Sequence, residues 1–185
     1  MNIFSILFFT TLIFSNSYDN ALLAFKSKDY ELALNTITEL IKNDNSHNNF
    51  YLASQIYYAI GDLDKANINI IRSIEEKNDS DDYREYQKKL EKLKTGLKSA
   101  QKTFDNGYVE DSIEEYDLLI KEFSDSPIAF YSLGQVYLKS NNYKMAVENF
   151  NKAMDMNSYD SQKYSKSISS ISQRLAKNGD SKFRV

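Results

Sequence analysis

His47 is the only histidine in the 185 residues, and cysteine is absent. Nucleophilic catalysis needs a base beside the attacking group, and zinc or copper sites need several His or Cys ligands. A single histidine with no partner at triad or ligand spacing supplies neither, so His47 is expected to cap a helix or stand at the surface. The densest run of carboxylates, Asp79, Asp81 and Asp82, lacks the central glycine and distal glutamate of a calcium loop. Those carboxylates suit a helix N-terminus, where they meet the positive end of the helix dipole. No glycine-rich loop is present to cradle a phosphate. The chemistry left to this chain is binding, and the expectation is a non-enzyme with no metal and no cofactor.

Any binding surface must be carried by helices. One proline and five glycines leave little room for a turn-rich β fold, and Leu, Ile, Ala, Lys and Glu favour helix. Apolar residues recur three or four apart over Tyr18–Ser27, Tyr30–Lys42, His47–Ile60 and Leu63–Lys77. Polar breaks separate them at Lys28-Asp29, Asn43 to Ser46 and Gly61-Asp62. A net charge of -3 gives no general attraction to nucleic acid. The absence of cysteine also excludes disulfides and a lipid-modified N-terminal cysteine.

The first residues differ from the rest. Ile3 to Phe14 form an uncharged apolar run, followed by Ser15-Asn16-Ser17 with small residues where a signal peptidase acts. The run is shorter than the roughly 17–25 residues that span a bilayer. Residues 1–17 are therefore read as a signal peptide without a basic n-region, giving an exported, periplasmic or cell-envelope protein. The alternative is an uncleaved anchor formed by residues 3–14.

Residues 127–160 carry the clearest repeat. Phe130, Leu133, Gly134 and Tyr137 share one helix face, and Tyr143, Ala146, Phe150 and Ala153 share a second. Across the chain one position of the second helices is small, at Ala33, Ala66, Ser112 and Ala146, and the position four residues on is large, at Ile37, Ile70, Tyr116 and Phe150. Ser126-Pro127 adds a helix start, since serine caps and proline is tolerated in a first turn. This pattern resembles the tetratricopeptide repeat family, specifically over 93–126 and 127–160 and more loosely over 47–80 and the opening unit. The resemblance implies an all-α solenoid of about four helical hairpins, 18–46, 47–80, 81–126 and 127–160. Residues 161–185 would then make a capping helix, Ser161–Lys177, and a basic tail. The third unit begins with an over-long helix whose stripe Tyr83, Tyr86, Leu90, Leu93, Leu97, Ala100 and Phe104 has heptad spacing. That stripe either packs on neighbouring helices or offers a homodimer seam over 83–104.

In this family the first helices line a concave groove. Carried over unit by unit, the groove candidates are Tyr18, Leu22 and Phe25, then Tyr51, Gln55 and Tyr58. Lys94, Lys98, Gln101 and Phe104 follow, then Tyr131, Gln135 and Leu138. Aromatic rings with amides between them suit an extended or helical peptide. The family's charge clamp for a C-terminal carboxylate is incomplete: Lys94 and Lys98 match its third-unit part, but Tyr18, Leu22 and Leu52 stand at the other places. The resemblance, taken with the signal-like N-terminus, therefore implies a protein-binding adaptor of the bacterial cell envelope with a protein or peptide partner. The alternatives are a structural subunit assembling through residues 81–105 and a helical protein that takes a small ligand or lipid.

Overall fold

A computed structural model describes residues 17–177 of the protein. Every regular element among them is a helix: α1 (Ser17–Lys26), α2 (Tyr30–Asn43), α3 (His47–Ala59), α4 (Leu63–Glu76), α5 (Asp81–Asp105), α6 (Val109–Glu122), α7 (Pro127–Lys139), α8 (Tyr143–Met156) and α9 (Ser161–Lys177). They form four helical hairpins and a closing helix. The expected signal, apart from Ser17, and the basic tail from Asn178 lie outside the described residues. No helix among the described residues is long and apolar enough to cross a membrane.

The four hairpins turn in the same way. Each passes through one residue in the left-handed region, with φ of 61° at Lys28, 82° at Gly61, 90° at Gly107 and 62° at Asn141. At Lys28 the amide donates to the Phe25 carbonyl and the next amide reaches back to Ala24, at 3.0 and 2.9 Å. The same pair recurs at Gly107 and at Asn141, which is the Schellman closure of a helix C-terminus. The second helix then starts at once. Asp29 caps α2 by accepting from the Leu32 amide at 3.1 Å, and Asn142 caps α8 by accepting from Met145 at 3.4 Å. Ser126 occupies the N-cap position of α7, yet its side chain makes no capping bond, which corrects the expected serine cap. The preset φ of Pro127 in the first turn carries that helix start.

The described residues divide into two compact units, one made of 17–58 with Leu63–Lys88, the other of Ala59–Asp62 with 89–177. In the first unit α1 packs on α2, with Ala21, Ala33 and Ile37 fully buried. In α3 and α4 the close approach is fixed by Ser54, whose hydroxyl donates to the Ala66 carbonyl at 2.7 Å. Ser73 in turn donates to the His47 carbonyl at 2.8 Å.

In the second unit Ser112 on α6 donates to the Ala100 carbonyl at 2.8 Å, again joining two helices at a small residue. The α7–α8 hairpin uses space instead of a bond. A Cβ on Gly134 would stand 2.6 Å from the Phe150 ring, so only glycine lets that ring lie flat against the helix. Phe150, Ala146, Leu138, Ile171 and Leu175 form one apolar cluster, and α9 closes it. Asn157, fully buried, donates to the Ile60 carbonyl at 2.9 Å and meets the Tyr164 hydroxyl at 3.3 Å.

The stripe on α5 is used up within the chain. Tyr83, Leu90, Leu93 and Ala100 are buried, and Tyr86, Leu97 and Phe104 are half-buried. Intramolecular packing therefore takes the place of the homodimer seam that its heptad spacing allowed, because the same spacing serves the chain's own neighbouring helices.

Candidate binding surfaces on the first helices

In the first unit, Tyr18, Leu22 and Phe25 on α1 and Tyr51 and Gln55 on α3 are half-buried. Tyr58 is only 6% exposed, so it belongs to the core and offers no surface to a partner. Tyr51 is held by rings from the start of α5. Its centroid lies 4.6 Å from that of Tyr83 and 5.4 Å from that of Tyr86, the latter edge-on. Tyr86 also meets Tyr58 at 6.3 Å. Burial pushes the Tyr51 phenol above its ordinary value, with further upward pushes from Tyr83, Asp82 and Tyr18 and a partial offset from the Gln55 amide.

Sequence reasoning left Tyr83 and Tyr86 out of the groove and assigned them to the α5 stripe. Their spacing from each other carried the only signal, since a residue facing the next helix and one facing the groove lie within a turn of each other.

His47, the first residue of α3, takes part in this cluster. Its Nδ1 lies 2.8 Å from the Tyr83 hydroxyl, which donates to Asn48 Oδ1 at 3.2 Å. One phenolic proton cannot serve both neighbours, so with Tyr83 donating to Asn48 it is His47 that donates its Nδ1–H. The arrangement fastens the start of α3 to the start of α5. It creates no activated nucleophile, because burial raises the Tyr83 phenol and disfavours its ionised form. Among the described residues no three His, Cys, Asp or Glu side chains are placed to share a metal ion.

In the second unit, Lys94 and Lys98 stand exposed on α5. Gln101 donates to Asp105 at 2.8 Å, one turn along the same helix. Phe104 is half-buried, and the Lys139 ammonium lies 5.3 Å above its ring centre. The three α7 candidates face α9. Tyr131 lies under the Lys163 ammonium at 4.3 Å and beside the Tyr164 ring at 5.5 Å. Gln135 donates to the Ser167 hydroxyl at 3.4 Å. Leu138 is 8% exposed and sits in the apolar cluster with Ile171 and Leu175. Leu138 is therefore a core residue, and helix α9 takes up one side of Tyr131 and Gln135. The physical reason is simple: the last hairpin needs a cover for its apolar face, and α9 supplies it.

Residues 128–160 match the model of the tetratricopeptide repeat. No curated protein matches the chain. Among solved structures the chain is similar to the TPR2AB-domain:pHSP90 complex of yeast Sti1, at 16% identity with a TM-score of 0.40, covering 77% of this chain and 64% of that one. A second is MamA, residues 41 to the end, from Desulfovibrio magneticus RS-1, at 12% identity and a TM-score of 0.39, covering 90% and 86%. A third is YrrB, a TPR protein with an unusual peptide-binding site, at 18% identity and a TM-score of 0.38, covering 82% and 93%. The chain thus spans slightly under two thirds of the Sti1 chain. Residues 128–160, the α7–α8 hairpin with its small-and-large packing pair, thus match a tetratricopeptide repeat unit within an array of helical hairpins.

Proposed function

We propose that this protein is a non-enzymatic binding module that holds a segment of another protein against the first helices of its hairpins, in the cell envelope. The observation that carries the reading is the first unit's surface of Tyr18, Tyr51 and Gln55, all half-buried. Tyr51 is braced by Tyr83 and Tyr86, so its remaining surface can be covered with little further loss of side-chain freedom. Gln55 brings an amide donor and acceptor beside it, the combination that an extended or helical segment requires. Helical-hairpin arrays use their stacked first helices for this purpose. The envelope part of the reading rests on the uncharged apolar run Ile3–Phe14.

One experiment tests both parts. A photo-crosslinking residue at Gln55 is compared, in living cells, with the same residue at Leu32, which is exposed on the second helix α2. The expected result is a discrete adduct from position 55 alone, recovered with the envelope fraction. Equal yields from the two positions, or none from either, would sink the binding surface. An adduct confined to the cytosolic fraction would remove the envelope setting and leave the surface standing.

A further inference from the structure

The second unit separates its charges by helix layer. Its first helices and the closing helix, counted over 89–105 of α5, 127–139 of α7 and 161–175 of α9, hold nine Lys or Arg and only two acidic residues, Glu91 and Asp105. Of its second helices, α6 holds six acidic residues and one lysine, while α8 holds two of each. Part of this opposition is satisfied inside the unit, where Lys92 pairs with Glu122 and Lys89 with Asp125. Much of it is not. Lys98, Lys102, Lys166 and Arg174 are exposed and form no ion pair among the described residues. On the other layer Glu110, Asp111, Glu114, Asp117, Glu148 and Asp155 are exposed.

Asp117 on α6 and Glu148 on α8 both push the Tyr137 phenol upward, after the larger effect of its own burial. Leu118, 58% exposed, sits next to Asp117 on α6 and adds apolar area to that face. Two faces of opposite sign on one unit are complementary to each other, and a unit cannot fold its own two faces together.

We propose that the second unit associates head-to-tail with a second copy of this chain, the lysine-bearing layer of one copy meeting the acidic helix α6 of the next. Such a contact joins two different surfaces, so each added copy leaves one of each free and the assembly can extend. Exposed pairs of this kind are individually weak, and they act together only where salt does not screen them. Association is therefore steep in ionic strength. This surface is distinct from the tyrosine site of the first unit, and either can fail without the other.

The test is sedimentation of the full chain over micromolar concentrations, at about 0.01 M salt, where the screening length is ~30 Å, and at about 1 M, where it is ~3 Å. The expected result is a mass that climbs with concentration at low salt and collapses to the monomer at high salt. Lys98→Glu with Lys166→Glu should be monomeric at low salt, and so should Glu114→Lys with Asp117→Lys. An equimolar mixture of the two variants should associate again, because reversed faces match each other. If the first pair loses helicity, Lys102→Glu with Arg174→Glu carries the same test. A wild type that stays monomeric at low salt, or variants that associate as the wild type does, would overturn the proposal. So would a glutamate-rich peptide binding the lysine face of a chain that remains monomeric, since that face would then belong to an acidic partner.

Discussion

In the hairpin of α3 and α4 the helices meet where Ser54 bonds the Ala66 carbonyl; in the hairpin of α7 and α8 they meet where Gly134 gives way to the Phe150 ring. Much else is shared between these two hairpins. Arg72 lies over the Phe50 ring at 5.7 Å, and Lys152 lies over Phe130 at 5.6 Å. Asn69 and Asn149 each donate to the carbonyl one turn back, both at 2.8 Å. The difference lies in what the next helix supplies. Tyr51 receives two rings, Tyr83 and Tyr86, whereas Tyr131 receives one ring, Tyr164, and the ammonium of Lys163 over its face. A tyrosine at one repeat position thus becomes part of an aromatic surface in one unit and a seat for the closing helix in the other. Repeat position fixes where a ring stands, and its neighbour decides what it can do.

The largest expected effect of a single substitution comes from the packing that separates the two hairpins. Phe150→Ala should destabilise the second unit by about 3–5 kcal/mol, because Gly134 cannot fill the cavity left beside it. Ile70→Ala, the matching change in the first unit, should cost about 2–5 kcal/mol. Denaturant unfolding of both variants checks the pair; a cost for Phe150→Ala well below that for Ile70→Ala would break the comparison.

Alkaline pH should weaken the second unit next. Tyr116 and Tyr164 are both pushed up to about 12 from 10, chiefly by burial. The folded state holds the neutral phenol while the unfolded chain ionises near 10, so this contribution is complete below pH 10. It is lost as pH rises from about 10 to about 12, at about 1.4 kcal/mol per pH unit for each tyrosine. Helicity followed with tyrosinate absorbance should show the two late phenols ionising as the unit unfolds. Ionisation of every tyrosine near pH 10 with helicity intact would contradict this. The smallest effect belongs to Ser54→Ala, at about 1 kcal/mol for the lost bond to Ala66. A loss above about 3 kcal/mol would show that this hairpin depends on its hydroxyl as the other depends on its ring.

The hairpins were legible because their rules are local. The small quartet Ala33, Ala66, Ser112 and Ala146 and the large quartet Ile37, Ile70, Tyr116 and Phe150 are all buried, and helical spacing is enough to pick them out. Two of the left-handed turns, at Lys28 and Gly61, fall at polar breaks picked out by the same spacing. The surface was less legible. Tyr58 and Leu138 lie on first helices at groove spacing, yet each is covered, and the cover comes from residues far along the chain. The α5 stripe had the right spacing for a seam, and spacing does not say whether the seam is met by another copy or by the chain itself. The Asn157 latch to Ile60 joins residues 97 apart, a separation that no local pattern records.

The serine bonds at the close contacts run in opposite senses. In one hairpin the first helix donates, through Ser54; in another the second helix donates, through Ser112. The contact is thus written in a degenerate code, in which either helix can hold the hydroxyl provided the other presents a carbonyl beside a small residue. Drift that moves the serine across the hairpin leaves the geometry standing while erasing the resemblance of one repeat to the next.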